Sequence, residues 1–163
     1  MGHLLESWSE FNVAMVSATA ALAGLVIVAA SVNITQIVAS RTLTARLGTG
    51  VASLVLALVV CGLGLVPALP APAFGVVVLA VTIVAGSFQG VTARLILIDP
   101  SPADRARLLK SLLGFLPVLA YLIAGVLAFT HPAASLVAAA AGALLAIVAA
   151  VVVSWVALVE VLR

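Results

Sequence analysis

Apolar residues run along this chain almost without interruption, and the few interruptions define its elements. Three stretches carry no charged residue: 11–40, 47–93 and 111–159. A helix needs about 20 apolar residues to cross the hydrocarbon core of a bilayer. The first stretch holds one such helix. Each of the other two is long enough for two helices and a turn, and turn chemistry sits near the middle of each. Pro67, Pro70 and Pro72 break the second, and Thr130, His131 and Pro132 break the third, because proline lacks a backbone donor and restricts its predecessor. The pattern predicts spans at 11–38, 45–67, 73–96, 103–130 and 133–161. The expected fold is an all-α integral membrane helical bundle of five transmembrane helices, a single domain over 1–163.

The cations orient these spans. All seven Lys and Arg fall where this topology puts one side of the membrane. Arg41 and Arg46 lie in segment 39–48, around the junction of the first two spans. Segment 94–110, around the junction of the third and fourth, carries Arg94, Arg105, Arg107 and Lys110, and Arg163 is in the tail. Cytoplasmic loops are enriched in Lys and Arg, so the N-terminus is expected outside and the C-terminus in the cytoplasm. In the segment 99–110, DPSPADRARLLK, Ser101, Pro102 and Asp104 form a helix-start pattern. The fourth helix is expected to begin amphipathically on the cytoplasmic surface and to bend at Pro117.

Composition agrees. Hydrophobic residues make up 66% of the chain and charged residues 7%, against about 25% charged in soluble domains. The clustered cations suit orientation and contact with anionic headgroups rather than nucleic acid. The opening MGHLLESWSE has no basic region before its apolar run, unlike a cleavable signal peptide. The single Cys61 excludes an intrachain disulfide and reads as a packing residue. Trp8, Phe11 and Trp155 read as interface anchors. Tyr121 lies deeper, and its hydroxyl is expected to have a hydrogen-bond partner.

Small residues mark candidate helix contacts, where close backbone approach drives association in lipid. The first span has Ser17, Gly24 and Ser31, with Ala20 beside them. The third has Thr82, Gly86 and Gly90. The fifth has Ala138, Gly142, Ala146, Ala150 and Ser154. Packing within one subunit is the expected use, and contact between subunits the alternative. The first span also carries a polar stripe, Asn12, Thr19 and Asn33, well away from its small face. Two accounts of this stripe remain. Asn33 and neighbouring Gln36 reach interfacial water, or the stripe lines a polar cavity or oligomeric pore. Gln89 on the third span sits at a similar depth and could bond Asn33 or share the cavity.

The absences narrow the function. No Asp, Glu, Lys, Arg or His lies centrally in any span, which weighs against proton-coupled transport and voltage sensing. The hydroxyls and the thiol have no nearby base, so nucleophilic catalysis lacks its second member. No metal or cofactor site is expected.

The first helix, with Trp8, Phe11 and the run ATAALAGLVIVAASVNITQI, resembles a mostly uncharacterised group of small bacterial multi-pass membrane proteins. The similarity rests on Ala20, Leu22, Gly24, Leu25, Val28, Ala29, Ser31 and Asn33. Some members of the group carry a label as modulators of a membrane-bound ATP-dependent protease. The resemblance implies a bacterial cytoplasmic-membrane location and a larger membrane partner. The leading expectation is a non-enzymatic membrane protein that acts by assembly, with itself or with such a partner. A homo-oligomeric channel lined by the first helix, and a carrier or binder of an apolar small molecule, are the alternatives.

Overall fold

The computed structural model describes residues 6–98 and 107–161. Among them the chain is all α-helical: α1 (Ser9–Val32), α2 (Ile34–Ala39), α3 (Arg41–Leu63), α4 (Ala71–Ile98), α5 (Arg107–Thr130) and α6 (Pro132–Val161). Four helical segments are long and apolar enough to cross a membrane: Ser9–Val32, Leu43–Leu63, Ala71–Arg94 and Pro132–Trp155. Gly114–Thr130 is a shorter apolar helical segment. The helix-start pattern at Ser101, together with Arg105 and Arg163, lies outside the described residues. So do the side chains of Arg107 and Lys110.

The helix ends follow from local chemistry. The first span, expected to run unbroken over 11–38, divides at Asn33, whose backbone leaves the helical region at φ −112 and ψ 26. Asparagine side chains compete with the backbone for hydrogen bonds, and here Asn33 Nδ2 reaches the Ala29 carbonyl at 3.4 Å. The short α2 is then tied to α3: Thr44 Oγ1 donates to Ile37 O at 2.8 Å, and Ser40 Oγ caps α3 by accepting from Leu43 N at 3.4 Å. Proline punctuates the turns after α3 and α5 as expected. The first occupies 64–70 and holds Ala68 in the left-handed region at φ 56. The second is His131 alone, with Pro132 as the first residue of α6, a position where a missing donor costs nothing.

Helices α3, α4, α5 and α6 form a four-helix bundle. Each packs on its two neighbours in the order α3, α4, α5, α6 and back to α3, and α5–α6 is the most extensive pair. The core runs through this bundle along Ala57, Val60, Phe74, Val78, Tyr121 and Ala143. Helix α1 stands outside it, laid against α3 and barely touching α6. Only 11% of the apolar window of α1 is buried, against 44% for α3.

Candidate functional site

Helix α1 has two unlike faces, and their roles are the reverse of the expectation that the small face packs within the chain. Asn12 and Thr19 are buried together with Ala23. This polar stripe is the seam against the bundle. Ser17, Ala20, Gly24 and Ser31 all face outward, and a Cβ added at Gly24 would meet nothing within 4 Å. The reversal has a local cause. Gly64, at the end of α3, leaves room that the Asn12 amide fills, so that a Cβ at Gly64 would collide with it. Thr19 is buried without polar cost because Oγ1 donates to Met15 O of its own helix at 2.7 Å. Asn33 is half-buried at the α1–α2 break, and Gln36 is exposed on α2.

A second polar group lies inside the bundle. Gln89 of α4 is buried, and its Nε2 donates to Ser53 Oγ of α3 at 2.9 Å. Its partner is therefore Ser53 rather than Asn33. Gly114 of α5 lies beside this amide, and a Cβ there would meet Gln89 Oε1 at an ordinary contact distance of 3.6 Å. Gln89 Oε1 itself has no hydrogen-bond partner among the described residues. Removing one member of such a pair should cost little in lipid, where interhelical hydrogen bonds average about 0.6 kcal/mol and reach about 1.7. A double-mutant cycle of Ser53→Ala and Gln89→Leu, followed by unfolding in mixed micelles, is expected to give a coupling of about 1 kcal/mol.

The small faces of the other helices are largely used within the chain. Gly142, Ala146, Ala150 and Ser154 are buried along α6, with Ala138 half-buried. A Cβ at Gly142 would press on the Tyr121 ring at 2.9 Å, and Gly50 of α3 faces Ala150 and Ser154 Oγ. On α4, Thr82 is buried and Gly86 faces Val118, whereas a Cβ at Gly90 would have open space. Tyr121 is fully buried, yet its hydroxyl has no partner among the described residues, contrary to expectation. The ring lies against Gly142 within the apolar core of the bundle. Ser135, not singled out by the sequence, donates from Oγ to Ala124 O at 2.7 Å and so joins α6 to α5.

An open groove of about 880 Å³ lies between α1, α3 and α4. Its floor is α3 from Leu47 to Val59, and its walls include Ile27 and Ile34 on one side and Val84 and Phe88 on the other. Ser31 is the one polar side chain in its lining. A smaller recess of about 380 Å³ lies on the opposite side of α1, against α6. Helix α1 thus leans on α3 with open space on both flanks. No hydropathy pattern reveals this groove, because its lining is as apolar as the lipid-facing surface. Among the described residues no group of three or more His, Cys, Asp or Glu could hold a metal ion. Arg41 and Arg94 are exposed, and Arg46 is half-buried. Trp8 and Phe11 form an edge-to-face pair at 5.6 Å. No protein-family model, curated protein or solved structure matches the chain.

Proposed function

We propose that the chain is a five-span protein of the bacterial cytoplasmic membrane, with its N-terminus outside and its C-terminus in the cytoplasm. In this reading it acts without catalysis, by assembling through α1 with a second copy or a larger membrane protein. The observation that carries the reading is the outward stripe Ser17, Ala20, Gly24 and Ser31 on a helix peripheral to the bundle. Small residues let helix backbones approach closely, and lipid chains gain nothing from them. The Ser31 hydroxyl is already bonded to Ile27 O at 2.8 Å, so an apolar helix can cover that position at no hydrogen-bonding cost. The orientation follows from the cations, which a five-span topology places on one side. Coverage of the fourth span is supported by the apolar segment Gly114–Thr130. The protease-modulator group that α1 resembles supplies one kind of larger partner.

The test is Gly24→Leu. It fills the stripe, and its Cβ enters open space, so the fold should persist while assembly weakens about tenfold, the loss of one close helix contact. Cross-linking yield and size in mild detergent report it. Unchanged assembly, or a wild-type chain that is monomeric and retains no membrane partner, would refute the role assigned to α1. Orientation is read separately, in a Cys61→Ser background, by labelling cysteines introduced at Ser40 and His131 from either side.

A further inference from the structure

We propose that the groove between α1, α3 and α4 is a binding site for one acyl chain of an anionic phospholipid, with Arg41 holding the headgroup phosphate. The groove follows α3 from Leu47 to Val59, about 18 Å at 1.5 Å per residue. That is close to the hydrocarbon depth of a single leaflet, about 15 Å. Its floor and walls are aliphatic and aromatic, with Val55 below and Ile34, Val84 and Phe88 at the sides offering contact to a methylene chain.

The charge at its end selects the occupant. Residues seven apart on a helix lie nearly in line, and Arg41, Gly48 and Val55 are so spaced on α3. Gly48 and Val55 line the floor. Arg41 therefore continues that floor about two turns beyond Gly48, at the start of the helix, and it is exposed. An apolar helix from a second copy would fill the walls but offer nothing to a guanidinium. A phospholipid offers both parts in the right order, because arginine binds phosphate through a planar fork of donors. Binding in detergent depends neither on the assembly role of α1 nor on which side of the membrane α3 begins.

The experiment is native mass spectrometry of the purified chain in detergent, titrated with phosphatidylglycerol and, separately, with phosphatidylcholine of the same acyl chains. Wild type is expected to retain phosphatidylglycerol about fivefold better, the effect of one surface cation on an anionic lipid. Arg41→Gln should bring that ratio close to one. Ala52→Phe and Val84→Phe, which fill the groove from its floor and one wall, should lose both lipids while helix content by circular dichroism stays at the wild-type level. The proposal is overturned if wild type holds the two lipids equally, or if lipid retention survives both filling variants. It is also overturned if those variants convert an oligomer to monomer with lipid binding intact, since the groove would then hold a second copy.

Discussion

Replacing Tyr121 by alanine is expected to destabilise the bundle by about 3 kcal/mol, within the range found for large-to-small aromatic changes. The ring is fully buried between α5 and α6 and lies against Gly142, so α6 has no side chain there to move into the space. In a bilayer the transfer part of this cost shrinks, because the surrounding lipid is also apolar, and the lost packing remains. Tyr121→Phe should behave in the opposite sense. It removes a hydroxyl that is buried without a partner, and relief of such a group is worth about 1 kcal/mol. Reversible unfolding in mixed micelles measures both. If the two variants were equally destabilised, the hydroxyl would have a bond that the packing does not reveal.

The second large effect is expected at the crossing of α4 and α5. A Cβ at Gly75 would lie 2.9 Å from Gly125 O and 2.9 Å from Ala128 Cβ. One of these is backbone and the other the stub of a short side chain, so neither can swing aside. Gly75→Val should force the helices apart and cost about 3 kcal/mol, the upper part of the overpacking range. Gly125 meets mainly Leu79, whose Cγ would lie 2.6 Å from an added Cβ. A leucine side chain can change rotamer, so Gly125→Ala is expected to be milder, about 1 kcal/mol. Equal costs at the two glycines would mean that the crossing is more plastic than the backbone contact at Gly75 implies. Gly24→Ala serves as the neutral control, since its added methyl would meet nothing.

Much of this architecture could be read from the chain alone, and the misreadings have specific causes. The proline turns were legible because Pro67, Pro70 and Pro132 act on their own backbone, whatever surrounds them. The buried α6 face was legible because Gly142, Ala146 and Ala150 repeat at helical spacing. What could not be read was which face of a helix meets which neighbour. On α1 the small stripe is the face expected at the inner seam, and the amide stripe the one expected at water or a pore. The choice is made by Gly64, some 50 residues away on α3, where the Asn12 amide is accommodated. The partner of Gln89 was missed for the same reason, since Ser53 has no pattern of its own. In water, polarity separates inside from outside. In lipid both sides of a helix are apolar, so hydropathy cannot distinguish a core residue from one in the groove.

The isolation of α1 from the bundle bears on how the protein is made. Helix α1 precedes α3 in the chain, and until α3 emerges it must stand without that partner. Helix α1 is equipped for the wait. Thr19 and Ser31 satisfy their hydroxyls on their own turns, at Met15 O and Ile27 O. The helix can then dock on α3 once that segment emerges, with Asn12 reaching the gap at Gly64 as the last adjustment. The Gln89 amide follows a different order, because its partner Ser53 has already been synthesised when α4 arrives.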